Sequence, residues 1–133
     1  MPKPRCILET VLYAEDLDLA EQFYTNVMCL KRIMESEDLF LAYRITADQV
    51  LLIFNPDEAA HSDRSVPSHG AHGTGHVAFE IDSVEYEKWK NHLRDLHIPV
   101  EHEHNWHRNA RSIYLRDPAG NSVELITKDI WPE

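Results

Sequence analysis

The apolar and polar positions of this chain predict short strands and helices in an order that occurs twice. In the first half, residues 7–14 form an apolar run that contains Glu9 and Thr10, which predicts a buried strand. Asp16 is suited to cap a helix, and apolar residues recur at helical spacing from there to about Met28. Three further strands are predicted at 32–36, 39–45 and 49–54.

The second half of the chain predicts the same order of elements. A strand over 75–81 is followed by Asp82 and Glu85, which have the spacing of a capping box at a helix start. Between the halves, residues 57–74 are rich in Ala, His, Ser, Pro and Gly without periodicity, which indicates a linker or a long functional loop. Three strands again end the repeat, at 99–104, 112–116 and 122–127.

An internal duplication accounts for this order. When Glu9 is laid over His76, the two predicted helix starts coincide without a gap, and the place equivalent to Glu124 falls on Leu51 or Leu52. The sequence therefore predicts an α+β fold, in a single domain over 1–133 that is built from two βαβββ modules. The predicted parts are module one at about 6–56, the loop at 57–74 and module two at about 75–127.

Glu124 is the most informative polar position, because it lies between the apolar residues Val123 and Leu125 in a predicted strand. A buried carboxylate needs a cation, a metal or several hydrogen-bond donors. Glu9 and His76 occupy the first strands of the two modules, and those strands could converge with the last one. Two carboxylates and an imidazole form a competent divalent-metal site with open positions. The three candidate ligands are thus Glu9, His76 and Glu124.

Each of these residues also has a purely structural interpretation. A single histidine in a strand is more often a hydrogen-bonded core residue than a ligand, and each carboxylate has basic residues near it in sequence. The possible ion-pair partners are Arg5 or Lys3 for Glu9, and Arg116 or Arg111 for Glu124.

Several further polar and aromatic residues could surround such a site. Ser112 and Tyr114 alternate toward one face of their strand, where they could orient the oxygen atoms of a substrate. For Tyr114, an ordinary half-buried strand position is an equally good interpretation. Trp106 is either the apolar wall of a pocket or simple core. Among the nine histidines, three could reach the site: His69, His72 and His104.

Charge and composition narrow the classes of partner and compartment. The net charge of −10 argues against nucleic acid and anionic membranes, and is compatible with a cationic ligand or with solubility alone. No apolar run approaches the roughly 20 residues that span a bilayer. The N-terminal residues are not typical of a signal peptide, and Cys6 and Cys29 lack metal-binding or redox spacing. We therefore expect a cytoplasmic protein with reduced thiols.

With these residues identified, the chain resembles the vicinal oxygen chelate superfamily of glyoxalase I, extradiol dioxygenases, fosfomycin-resistance enzymes and bleomycin-resistance proteins. The strongest stretches are 16–24, 75–79, and 114–121 continuing into Glu124. The resemblance implies that each module forms half of a cupped mixed sheet, and that metal ligands occupy the positions of Glu9, His76 and Glu124. It also implies a homodimer in which each site is shared between two chains.

Two functions follow from the resemblance. The first is a metal-dependent enzyme that acts on a small substrate with adjacent oxygens, by isomerase or lyase chemistry of the glyoxalase type or by epoxide opening. Either Glu124 or Glu9 could then serve as a general base. The second is a non-catalytic protein of the bleomycin-resistance type that sequesters a cationic small molecule, which the net charge and Trp106 favour.

The expected cofactor is a divalent ion: Mn, Ni, Co, Zn or Fe. Two carboxylates with one histidine favour Mn²⁺, Ni²⁺ or Co²⁺ over iron. Ring-cleaving dioxygenase activity is less favoured, since that iron is normally held by two histidines and one carboxylate.

Overall fold

The computed structural model describes all 133 residues and divides the chain into two compact units, Met1–Gly73 and Thr74–Glu133. Each unit contains one four-stranded mixed sheet and a few short helices. The α+β fold with two βαβββ modules predicted from the sequence is therefore confirmed. The longest helix has ten residues, and none could cross a membrane.

The first unit follows the predicted order of one strand, one helix and three strands. Its elements are β1 (Glu9–Tyr13), α1 (Leu17–Gln22), β2 (Lys31–Ser36), β3 (Phe40–Thr46), β4 (Gln49–Phe54) and α2 (Pro56–Ala59). Asp16 caps α1 as predicted, because its carboxylate accepts a hydrogen bond from the backbone N–H of Leu19 at 3.1 Å. The helix continues as a π-helical turn over Phe23–Val27. The strand order is β1-β4-β3-β2, in which only β1 and β4 are parallel.

The segment that follows β4 packs onto its own unit. His69 accepts or donates a 2.8 Å hydrogen bond with the hydroxyl of Tyr13, and its ring lies edge-on to Phe54 at 4.6 Å. The guanidinium of Arg64 lies over the same Phe54 ring at 5.6 Å. The residues predicted as a linker or loop thus include α2 and belong to the first unit as far as Gly73.

The second unit repeats this order. Its elements are β5 (His76–Glu80), a 3₁₀ turn (Ser83–Glu85), α3 (Tyr86–Asp95), β6 (His102–Asn105), β7 (Arg111–Arg116) and β8 (Ser122–Ile126), in the sheet order β5-β8-β7-β6. The predicted capping box is wrong, because the side chain of Asp82 makes no capping hydrogen bond. Instead the backbone carbonyl of Asp82 accepts from the N–H of Glu85 at 2.9 Å, which closes the 3₁₀ turn.

The two faces of the second sheet differ in polarity, and this difference positions the site. One face buries four residues completely: Ile113, Leu115, Val123 and Leu125. Because side chains alternate along a strand, the opposite face carries the residues between them. The register aligns His102 with Tyr114, and Tyr114 with Glu124. A row of polar and aromatic side chains therefore crosses that face from β6 to β8.

The strand register also corrects the alignment of the two halves. In the first unit Glu9 pairs with Val50, whereas in the second His76 pairs with Ser122. Two residues further along each strand, the place of Glu124 is therefore occupied by Leu52. Of the two leucines left open by the sequence, Leu51 is excluded because it points into the core with 2% exposure.

Candidate functional site

His76 and Glu124 lie together on the polar face of the second sheet. The Nε2 atom of His76 is 3.3 Å from Oε1 of Glu124. The imidazole is half exposed, whereas the carboxylate side chain keeps only 9% of its accessible surface. Strands β5 and β8 are adjacent and parallel, which places this mostly buried acid beside an imidazole that solvent can reach.

The other ring nitrogen of His76 has hydrogen-bond partners of its own, and these favour one tautomer of the imidazole. Its Nδ1 lies 3.1 Å from the backbone carbonyl oxygen of Ser122 and 3.1 Å from the Ser122 hydroxyl. When Nδ1–H donates to that carbonyl, the lone pair of a neutral imidazole at Nε2 faces the carboxylate. Two electron-rich atoms at this distance need a positive charge between them, either a proton or a metal ion. Metal-binding histidines usually make such a hydrogen bond with their second nitrogen, so this donor pair fits a divalent cation.

The second oxygen of Glu124 accepts a hydrogen bond from a neutral hydroxyl, which an indole N–H supports in turn. The hydroxyl of Ser112 donates to Oε2 of Glu124 at 2.5 Å, and the indole N–H of Trp106 donates to the same hydroxyl at 2.8 Å. Ser112 is completely buried. The structure therefore gives Ser112 no exposed surface for the substrate contact expected of it, and places it against the candidate ligand instead.

The ion-pair interpretation of Glu124 is wrong, because both candidate arginines are engaged elsewhere. Arg116 contacts Glu101 with two nitrogens, at 2.5 and 3.0 Å. Arg111 lies over the ring of Tyr86 at 3.8 Å and approaches Glu87 at 3.8 Å. The protein partners of the Glu124 carboxylate are therefore an imidazole and hydroxyl groups.

A pocket of about 220 Å³ opens beside this pair in the second unit. Its lining residues are Glu101, His102, His104, Trp106, Tyr114, Arg116 and Ser122. The ring of Tyr114 stacks with His76 at a centroid distance of 6.5 Å. Burial, and then the negative charge of Glu124, raise the pKa of Tyr114 above its ordinary value, so its hydroxyl remains a proton donor at neutral pH.

The remaining predicted candidates lie in the first unit. Glu9 is exposed at the start of edge strand β1, and Arg5 contacts Asp48 at 3.2 Å rather than Glu9. His69 contacts Tyr13, as described above. His72 lies between two carboxylates, 3.3 Å from Glu15 and 3.1 Å from Asp57. No group of three or more His, Cys, Asp or Glu side chains in the chain is arranged to hold a metal.

Sequence reasoning missed the residues that hold β5 against β8. The buried side chain of Asn121 accepts a 2.7 Å hydrogen bond from the N–H of Gly75 and donates one of 2.8 Å to Asp117. Gly75 directly precedes His76, and Asn121 precedes Ser122, whose carbonyl orients the imidazole. The signal was the turn sequence over 117–121, which indicated a turn but not its contact with the distant Gly75.

The fold is that of a known protein class. The chain belongs to the Glyoxalase/Bleomycin resistance protein/Dioxygenase superfamily, which it matches over residues 7–125. The resemblance expected from the sequence is thus confirmed.

Solved structures and characterised relatives agree with this assignment. A crystal structure of lactoylglutathione lyase from Agrobacterium tumefaciens is 41% identical, with a TM-score of 0.91 over 99% of this chain and 100% of that one. Metallothiol transferase FosB of Staphylococcus epidermidis (strain ATCC 12228 / FDA PCI 1200) is 27% identical over 114 residues, which are 84% of this chain and 74% of the relative. A glyoxalase/bleomycin resistance protein/dioxygenase from Nocardioides shares the fold at 21% identity, with a TM-score of 0.75 over 100% of this chain and 89% of that one.

Proposed function

We propose that this protein is a metal-dependent enzyme of the glyoxalase type, with lyase or isomerase activity on a small substrate that carries adjacent oxygens. The observation that carries the proposal is the His76–Glu124 pair, in which a buried carboxylate without an arginine partner faces an imidazole oriented by Ser122. The name of the FosB relative, metallothiol transferase, supports a divalent metal.

His76 and Glu124 would hold this metal through Nε2 and Oε1, and Glu9 would be the third ligand. In the proposed homodimer, Glu9 comes from the second chain, so that each second unit needs only two ligands of its own. A divalent ion in this position supplies Lewis-acid polarisation of the adjacent oxygens of a substrate. Mn²⁺, Ni²⁺ and Co²⁺ are favoured by a donor set of two carboxylates and one imidazole.

The chain's own residues account for orientation and proton transfer. Tyr114 lines the pocket and its hydroxyl donates to Glu124, so the phenol oxygen can accept a hydrogen bond from a substrate hydroxyl. His104 and Trp106 form an aromatic wall of the pocket, with ring centroids 4.4 Å apart. Either Glu124, through Oε1, or Glu9 would serve as the general base when that carboxylate is not bound to the metal.

The names of the relatives support a thiol derivative as the substrate of this protein. One is a lactoylglutathione lyase and the other a metallothiol transferase. Lactoylglutathione carries a carbonyl and a hydroxyl on neighbouring carbons, which matches a substrate with adjacent oxygens. We therefore propose a small acyl or hydroxyacyl group linked to a thiol. Transfer of a thiol to an epoxide is the second candidate, and the FosB similarity favours it.

Elemental analysis of protein purified without chelators tests the metal. We expect close to one divalent ion per chain in the wild type, and its loss in His76→Ala. The matched control is His61→Ala, because His61 is exposed and belongs to the first unit. The same preparations are assayed for formation and cleavage of lactoylglutathione by chromatography. A metal content equal in the wild type and in His76→Ala would refute the proposed ligand.

Glu124→Gln separates an enzyme from a sequestering protein. An enzyme should lose metal and turnover together, because the neutral amide no longer balances the cation. A groove that sequesters a cationic molecule would keep most of its affinity for that molecule. Retained turnover in this variant would contradict the role of Glu124.

Mixing two inactive variants tests whether sites are shared between chains. In a shared arrangement, a heterodimer of Glu9→Gln and His76→Ala regains one intact site, with Glu9 from one chain and His76 from the other. Random exchange makes half of the dimers heterodimers, so roughly a quarter of the wild-type activity should return. Activity that stays at the level of the separate variants would contradict sharing.

A further inference from the structure

Trp106, Ser112 and Glu124 form a hydrogen-bonded chain whose direction is fixed by chemistry. An indole N–H can only donate, so Ser112 Oγ must be the acceptor at 2.8 Å. A serine hydroxyl has a single hydrogen. The Tyr114 hydroxyl also contacts Ser112, but the charged Oε2 of Glu124, at 2.5 Å, is the stronger acceptor. The hydrogen of Ser112 therefore points at the carboxylate. Neither oxygen in this contact is available to solvent, because Ser112 is fully buried and the side chain of Glu124 nearly so.

We propose that Trp106 and Ser112 are positioning residues that hold the Glu124 carboxylate in place and leave Oε1 as its ligand atom. The metal-binding consequence rests on the proposed function, whereas the hydrogen-bonded chain itself does not. A hydroxyl that already accepts a hydrogen bond is a stronger donor, so the Trp106 N–H strengthens the bond from Ser112 to Oε2. With Oε2 pinned, the carboxylate cannot turn, and Oε1 stays directed at His76 Nε2.

The hydrogen-bonded chain of Trp106, Ser112 and Glu124 also links the pocket to the carboxylate. Trp106 belongs to the connection between β6 and β7, and lines the pocket with His104. Its backbone N–H donates to the carbonyl of Ala110 at 2.8 Å, and two consecutive residues of that connection, Arg108 and Asn109, have positive φ angles of 57° and 59°. Three separate elements therefore supply the three members of the chain. A molecule in the pocket would touch Trp106 directly and Glu124 through it.

The first experiment uses metal-free protein and the indole N–H signals in a ¹H–¹⁵N NMR spectrum. The chain has three tryptophans, and Trp106→Phe assigns the Trp106 signal. We expect Ser112→Ala to shift this signal far more than the other two, because its acceptor is lost. Ser83→Ala, a substitution on the exposed 3₁₀ turn, is the matched control. A Trp106 signal that moves no more in Ser112→Ala than in the control would overturn the proposed chain.

The second experiment measures Zn²⁺ affinity by calorimetry, with Zn²⁺ alone as the probe. Loss of a residue that orients a metal ligand typically weakens binding by about 10- to 100-fold, so we expect a loss of about that size in Ser112→Ala. Trp106→Phe should lose less, and Ser112→Thr, which keeps the hydroxyl, should restore most of the affinity. Zinc should also shift the Trp106 indole signal in the wild type but not in Ser112→Ala.

The outcomes separate the two ideas. If the wild type binds none of Zn²⁺, Mn²⁺, Ni²⁺ and Co²⁺ in the same titration, the proposed metal function fails, and the indole signals of the metal-free protein still decide the hydrogen-bonded chain. If Zn²⁺ binds the wild type and Ser112→Ala equally well, the positioning role is refuted while the metal site stands. Urea unfolding of each variant shows whether a loss of affinity merely follows a loss of fold, and rescue by Ser112→Thr argues against that.

Discussion

Replacing Asn121 with alanine should destabilise the second unit more than any other single polar substitution near the site. The Asn121 side chain is 1% exposed and joins the start of β5 to the turn before β8. It accepts from the N–H of Gly75 at 2.7 Å and donates to the carboxylate of Asp117 at 2.8 Å. Alanine cannot replace either contact, and the Asp117 carboxylate that loses its donor is buried.

The magnitude follows from the two bonds. Gly75 is exposed, so water can satisfy its N–H and the loss of this bond costs about 0.5–1.5 kcal/mol, whereas a hydrogen bond to a charged group contributes about 1.5–3 kcal/mol. Asp117 keeps its backbone donors, the N–H groups of Ala119 at 3.0 Å and of residue 121 at 2.8 Å, so its charge is not stranded. We therefore expect a loss of about 2–4 kcal/mol in the free energy of unfolding, and a fall in Tm of at least roughly 5 °C.

Urea unfolding followed by circular dichroism measures this loss. Asn91→Ala is the matched control, because Asn91 is exposed on α3 and only accepts from Arg94. The N121D variant tests the electrostatic part of this account. It places a second carboxylate against Asp117, so at pH 7 it should be less stable than the alanine variant. Its deficit should shrink as the pH falls and one of the two acids is protonated. A loss below about 1 kcal/mol for Asn121→Ala would refute this account.

Two further predictions concern other parts of the chain. Burial and the hydrogen bond that Tyr86 donates to Glu103 at 2.8 Å raise the pKa of Tyr86 to about 12. A phenol whose pKa is higher when folded contributes stability below its unfolded pKa of about 10. That contribution is lost between about pH 10 and 12. In urea titrations at matched pH, the stability of the wild type should therefore fall across this range by up to about 3 kcal/mol more than that of Tyr86→Phe. Parallel curves of stability against pH for the two proteins would contradict this prediction. Asp16→Ala should cost about 1 kcal/mol in thermal unfolding, since it removes the cap that accepts from Leu19, whereas Asp18→Ala should cost clearly less.

Local pattern was sufficient to predict the eight strands and the helices α1 and α3, but not the short α2. A continuous apolar run predicted β4 over 49–54 with the bounds that the structure has, and Asp16 was identified as the cap of α1. The errors lie where local pattern does not determine the hydrogen bond. Asp82 has the spacing of a capping box, but the chain enters α3 through a 3₁₀ turn in which a backbone carbonyl is the acceptor instead.

The sequence singled out the candidate ligands but could not say what each one contacts. It chose Glu124 because an acid in an apolar strand needs a partner, and it left open arginine, metal and hydrogen-bond donors. Only the tertiary contacts exclude Arg116 and Arg111, which are engaged with other side chains, and supply Ser112 as the donor. The role of Glu9 in the site remains a proposal.

The sequence by itself determined the repeat, the α+β fold and the residue types of the candidate site, because periodicity and turn formers act over a few neighbouring residues. Only the tertiary structure decided which nitrogen of His76 faces Glu124, that Leu52 rather than Leu51 is the equivalent of Glu124, and that Trp106 supports the carboxylate through Ser112. These facts depend on contacts between strands far apart in the chain. Such contacts are set by register and packing across a sheet, which no local pattern encodes.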